Sequence, residues 1–150
     1  MTSSAIPAAL DALYTSFVAS SSLTGVQITD GAPMTDLAVD FINVGWTPYD
    51  DAAATSLQVP AQLGQLRRQE EFVINCYADS YSGDSSASAR RARVFALVDA
   101  CDAVLVADPT LGGVLTQYAM LSSVDLRQER SNTGLSIGAV FRITCHTRIV

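Results

Sequence analysis

The chain has 150 residues and a mass of 15.9 kDa, with 49% apolar residues, 16% charged residues and a net charge of -6. A chain of this length buries roughly two-thirds of its unfolded surface without disulfide or metal staples, and its apolar content excludes a disordered polymer. Fifteen acidic residues against nine basic ones, all arginine, leave no long-range attraction for a phosphate backbone.

Ile6, Leu10, Leu13 and Phe17 recur at three- and four-residue spacings, and Pro7 is tolerated in a first turn, so residues 5–20 are predicted to form an amphipathic helix. The segment from Gly25 to Gly31, with Val26 and Ile28 alternating, and the β-branched stretch from Val39 to Gly45 are predicted as two short strands, separated by the turn signal Asp30-Gly31-Ala-Pro33. Residues 46–65 keep neither period and are predicted as a long loop. Loops of that length in a compact domain are more often functional than accidental.

A period of two returns between Arg67 and Tyr81, with Phe72, Ile74, Cys76 and Ala78 on one face and Gln69, Glu71, Asn75 and Asp79 on the other, and predicts a longer third strand. The turn chemistry of Ser82-Gly-Asp-Ser-Ser86 leads into a second helix over residues 87–107, whose stripe is Val94, Leu97, Val98, Cys101, Val104 and Leu105 and whose stop is Asp108-Pro109. After Gly112-Gly113, residues 114–130 alternate with Tyr118, Met120, Val124 and Leu126 on one side. Asn132-Thr-Gly134 then turns the chain into a last strand with Ile137, Ala139, Phe141, Ile143, Cys145 and Ile149 on one face. The order helix, strand, strand, loop, strand, helix, strand, strand predicts a single α+β domain over residues 1–150, a mainly antiparallel sheet with both helices on one face.

Candidate chemistry is sparse. His146 is the single histidine and lies on the polar face of the last strand, without a partner at triad or ligand spacing. Asp99 and Asp102 share a helical face opposite the apolar stripe, and Asp50-Asp51 lie in the predicted loop; a divalent-metal enzyme would have to be built from these carboxylates. Cys76, Cys101 and Cys145 show no CxxC spacing and fall on apolar faces, which fits buried thiols in a reducing compartment. Leu111-Gly-Gly-Val114 lacks the spacing and the lysine of a phosphate loop, so no nucleotide cofactor is expected. No leader pattern opens the sequence and no apolar run is long enough to span a membrane, so synthesis in cytoplasm is expected.

Arg90, Arg91 and Arg93 open the second helix, while Arg127, Arg130, Arg142 and Arg148 gather around the closing hairpin. The second face of the sheet mixes Val73, Tyr77, Val140 and Thr144 with charges instead of being uniformly polar. Trp46, Tyr49, Asp50 and Asp51 in the predicted loop, with Arg127, Arg142 and Arg148, are the candidate interface residues, because aromatics and arginine are enriched at contact centres.

In element order and length the chain resembles the tail terminator proteins of long-tailed bacteriophages. The resemblance is clearest where a helix ending Val104-Leu-Val-Ala-Asp-Pro-Thr-Leu111 is followed by Gly112-Gly113-Val-Leu115 and by a hairpin through Val124-Asp-Leu-Arg-Gln-Glu-Arg130 and Ile137 to Val150. It implies a virion protein without catalytic residues, cofactor or membrane contact. Such a protein forms a homohexameric ring that caps the tail tube protein and joins it to the head-tail connector protein, with DNA passing through the lumen unbound. A head-completion or stopper protein of the same neck, a small divalent-metal enzyme and a ligand-binding domain using the open sheet face are the alternatives.

Overall fold

The long period-two run in the middle of the chain becomes the strand with which most of the sheet pairs. A computed structural model describes residues 3–33, 39–49, 52–61, 68–80, 86–131 and 134–149, with the backbone alone for 129–131 and 134–135. In chain order the elements are α1 (Ile6–Ala19), a 3-10 turn (Ser21–Leu23), β1 (Gln27–Asp30), β2 (Asp40–Val44), β3 (Ala54–Pro60), β4 (Arg68–Ser80), α2 (Ala87–Ala107), β5 (Tyr118–Ser131) and β6 (Gly134–Ile149). The fold is α+β, with one six-stranded sheet ordered β1-β2-β4-β6-β5 and β3 also paired to β4.

Two expectations need correction. First, the predicted loop over 46–65 contains a strand, β3, so the order is helix, four strands, helix, two strands. Its sequence, Ala54-Thr-Ser-Leu-Gln-Val-Pro60, places Leu57 and Val59 toward solvent and small or polar residues toward the helices. It therefore lacks the apolar face from which a strand is read, and Pro60 closes it at an edge where a missing N–H is tolerated. The sheet is also mixed: β1 and β2 run parallel, while every other pairing is antiparallel. Second, a register shift between Leu121 and Ser123 breaks the alternation predicted for β5. Tyr118 and Met120 stay on the face away from the helices, but Val124 and Leu126 turn to the opposite one. A β-bulge inserts one residue and reverses every side chain beyond it.

β4 is paired along both edges. On one side it runs against β6 from Arg68 opposite Ile149 to Asp79 opposite Gly138. On the other side its C-terminal half pairs with β2, ending at Val44 opposite Cys76, and its N-terminal half pairs with β3, beginning at Ala54 opposite Ile74. Residues 45–53 thus leave and rejoin the same edge opposite Asn75. The Asn75 N–H donates to the Ala53 carbonyl at 3.0 Å and its Nδ2 donates to the Ala52 carbonyl at 2.9 Å, which fixes the return point. Gly45 begins the excursion with φ of 70°, and a Cβ there would stand 3.0 Å from Leu10 Cδ2. A side chain would meet both a left-handed backbone and α1.

One face of the sheet carries the core. Phe72, Ile74, Cys76 and Ala78 of β4 and Ile137, Ala139, Phe141, Ile143 and Cys145 of β6 join Leu13 and Phe17 of α1 and Val94, Leu97, Val98, Cys101 and Leu105 of α2 in one buried cluster. Each large aliphatic side chain removed from water in this way contributes about 1.5–3 kcal/mol before entropy is counted. Burial pushes the thiols of Cys76 and Cys145 up to about 12, and that of Cys101 in the same direction, so all three act as small apolar groups. Ser86 caps α2 by accepting from the Ala89 N–H at 3.3 Å.

The N-terminal cap of α1 comes from elsewhere in the fold. Ala5 has no capping side chain, and Glu70 of β4 supplies the acceptor instead. Its carboxylate accepts from the Ala5 N–H at 2.8 Å, Ser4 Oγ at 2.6 Å, Ser56 Oγ at 2.5 Å and Gln58 Nε2 at 3.0 Å, joining α1, β3 and β4. Burial raises the Glu70 pKa, and the four donors more than offset it, holding the group below its usual range. A depressed carboxylate contributes stability above its unfolded pKa and loses it as pH falls. Glu70→Gln is expected to cost about 1.5–3 kcal/mol at pH 7, the scale of hydrogen bonds to a charged group. The gap from wild type should close as pH falls below about 4.5. Urea denaturation across that range checks it; an equal loss at pH 7 and pH 3 would show that the charge of Glu70 is immaterial.

Candidate interaction surface

The sheet face away from the helices is laid out in cross-strand rows, and the rows divide it. At one end are Gln27–Phe41–Asp79–Gly138–Arg127 and Thr29–Asn43–Tyr77–Val140–Asp125. Phe41, Tyr77 and Val140 form a small second core there. A Cβ on Gly138 would collide with the Tyr77 ring, lying 2.0 Å from Oη and 2.4 Å from Cζ, so Tyr77 reaches across β6 over the space a missing side chain leaves. The Tyr77 hydroxyl donates to Asp79 Oδ2 at 2.8 Å, and burial pushes both groups' pKa values up.

The excursion between β2 and β3 covers this end. Tyr49 stands edge-on to Tyr77 with ring centroids 5.9 Å apart, and the Arg127 guanidinium lies 5.0 Å from the centre of the Tyr49 ring. Two of the sequence-predicted interface residues therefore meet each other across the sheet. Trp46 is half-buried, and Asp50 and Asp51 lie outside the described residues. Arg142 donates to Asp125 Oδ2 at 2.7 Å and to Ser123 Oγ at 3.2 Å, marking the middle of the face. That hydrogen bond and charge lower the Asp125 pKa. Arg148 is exposed at the far end, away from Tyr49.

Among the described residues no excursion covers the other end. Its rows are Val59–Gln69–Arg148, Leu57–Glu71–His146–Tyr118 and Thr55–Val73–Thr144–Met120. Leu57 is 68% exposed, Val59 and Met120 are each 48% exposed, and Tyr118 is 44% exposed. The His146 ring packs against Tyr118 at 4.8 Å and its Nδ1 lies 3.8 Å from Glu71 Oε2. Between Leu57, Val59, Glu71 and His146 lies a shallow groove of about 220 Å³, smaller than the roughly 300–1,000 Å³ typical of small-molecule sites.

Sequence reading missed Leu57 and Val59 because they sit on β3, read as loop, and put Tyr118 and Met120 on the same side as Val124 and Leu126, from which the bulge separates them. The signal it did have was the mixed composition of the sheet's second face. Asp99 and Asp102 lie on the outward side of α2, beside Phe95 and Val106. Among the described residues no group of three or more His, Cys, Asp or Glu is arranged to hold a metal ion, and no helix is long and apolar enough to cross a membrane. No family model and no curated protein matches the chain.

Gly138→Ala is expected to destabilise the fold by about 2–4 kcal/mol, because Tyr77 must leave its place and the small second core opens. Tyr77→Val should recover part of that loss in the double variant, a coupling that thermal denaturation of the four proteins measures. Tyr49→Ala should leave the main core intact and raise amide exchange over residues 45–53 at least tenfold, with little change elsewhere. Unchanged exchange would show that Tyr49 does not hold the excursion down.

Proposed function

We propose that the chain is a structural assembly subunit, with the role of a phage tail terminator: a homohexameric ring that closes the tail tube and forms the joint to the head-tail connector. The observation that carries this is the uncovered end of the sheet. Leu57 and Val59 of β3 and Tyr118 and Met120 of β5 stand exposed on either side of Glu71, His146 and Arg148, on a sheet face that no described helix covers. Large exposed apolar side chains grouped around charged ones on one face mark a protein contact.

Two further features support the reading. The net charge of -6 fits a ring whose lumen lets DNA pass without adhering. The excursion between β2 and β3 presents Tyr49 and Arg127, residue types favoured at contact centres, on the same side of the sheet as the apolar rows. Another neck component, a head-completion or stopper protein, shares this support, and the partner it binds separates the two.

Purified chain mixed with terminator-deficient tail tubes is expected to cap their upper ends as a ring in negative stain, and to form a species near 95 kDa, six copies of the 15.9 kDa chain, in native mass spectrometry. Charge reversal, Arg148→Glu, should reduce capping at least tenfold while leaving the thermal midpoint unchanged, since Arg148 is exposed. Binding to head connectors with none to tubes would assign the neck alternative. Binding to neither would overturn the assembly reading.

A further inference from the structure

Two polar side chains at the covered end of the sheet are almost wholly out of solvent, and each has one atom bonded and one not. Asn43 is 0% exposed and Asp79 is 1% exposed. Asp79 Oδ2 accepts from the Tyr77 hydroxyl at 2.8 Å, and Asn43 Oδ1 accepts from the Thr29 hydroxyl at 2.6 Å. The other atom of each head group, Asp79 Oδ1 and Asn43 Nδ2, is buried and meets no hydrogen-bond partner among the described residues. A polar atom held away from water without a partner costs more than a hydrogen bond contributes, so folded interiors pair nearly all of them.

The orphaned atoms are of opposite kinds. The 2.6 Å contact with Thr29 has the length of an O–H···O bond, shorter than an N–H···O bond usually is, which turns the amide oxygen of Asn43 toward Thr29 and the nitrogen away from it. Nδ2 is thus a buried donor, and Asp79 Oδ1 is a buried acceptor. Asn43 lies opposite Tyr77 and Asp79 lies opposite Phe41, so the two are diagonal neighbours on one face of the β2–β4 pair. Diagonal positions are about 7–8 Å apart at Cα and closer at the side chains. Asn43 and Asp79 make no bond with each other there.

We infer that Asn43 and Asp79 hold one buried water molecule between β2 and β4, which accepts from Nδ2 and donates to Oδ1. Water serves a donor and an acceptor at once, and an internal water typically has two to four polar partners. A cation does not fit the same pair, because the amide N–H presents positive charge to it and hard cations take six or more oxygens. The bridge joins the two strands through their side chains beside Tyr77. It also fixes the carboxylate whose other oxygen receives the Tyr77 hydroxyl, and Tyr77 is the ring against which Tyr49 stands. The water is therefore part of the floor under the excursion, whatever the chain assembles with.

A crystal structure of the wild-type chain at atomic resolution tests this without any substitution. A single water is expected within about 3.2 Å of both Asn43 Nδ2 and Asp79 Oδ1. No density there, or a direct bond between the two side chains, would overturn the inference. A thermodynamic cycle tests it in solution. Asn43→Val and Asp79→Val each remove one partner of the water, and the partners they leave on Thr29 and Tyr77 cancel between single and double variants. If one water joins the pair, the second substitution costs less once the first is made, and the unfolding constant of the double variant should fall at least tenfold short of the product of the single effects. Losses that simply multiply, measured by urea denaturation at pH 7, would show that nothing connects Asn43 to Asp79.

Discussion

One strand edge shared by two others is the constraint on which the rest depends. Because β2 and β3 both pair with the same side of β4, residues 45–53 must depart and return within the length of a single residue, Asn75. Backbone donors and acceptors released there need partners, and Asn75 supplies a main-chain and a side-chain donor to Ala53 and Ala52. Leu10 of α1 stands over Gly45 on the helix side, 3.0 Å from where a Cβ would lie, and the departing chain brings Tyr49 to the other side of the sheet. That is why Tyr49 comes to lie over Tyr77, and why one end of the open face is covered while the other is bare.

The covered end shows how a missing side chain directs a packing arrangement. Gly138 leaves room for Tyr77 to reach across β6, Tyr77 meets Tyr49 edge to face, and the Tyr49 ring takes the Arg127 guanidinium from the far strand. Each step spans one strand, so a residue from the β2–β3 connection is tied to β5 without any helix on that side. A cation over an exposed aromatic ring contributes only about 0.5–1 kcal/mol. The excursion is thus held by Asn75 at its base and more lightly at Tyr49.

Much of this architecture is legible in the sequence where one face of an element is buried. Phe72, Ile74, Cys76 and Ala78 announce β4 by their spacing, and α2 runs over the predicted residues 87–107. β3 escaped because its apolar residues, Leu57 and Val59, point to solvent, so that the period-two signal is present on the wrong face and framed by alanines and Pro60. The bulge in β5 escaped because an inserted serine among Ser122 and Ser123 carries no turn signal, and only the pairing with β6 reveals the reversal beyond it. For the candidate surface, Tyr49, Arg127 and Arg148 could be selected by residue type. Their separation into a covered cluster and a bare end follows from long-range pairing, which local pattern does not encode.

The same reasoning explains why the bare end is apolar at all. A sheet closed on one face by helices needs no apolar residues on the other for its own folding, and polar side chains there would serve solubility. Leu57, Val59, Tyr118 and Met120 instead lie in adjoining rows with little mutual burial, and Phe95 and Val106 are exposed on the opposite layer. β3 is also the strand whose side chains contribute least to the core, so Leu57 and Val59 add little to stability where they stand. Residues that neither fold the chain nor dissolve it call for a reason outside the core, and here they stand on both layers.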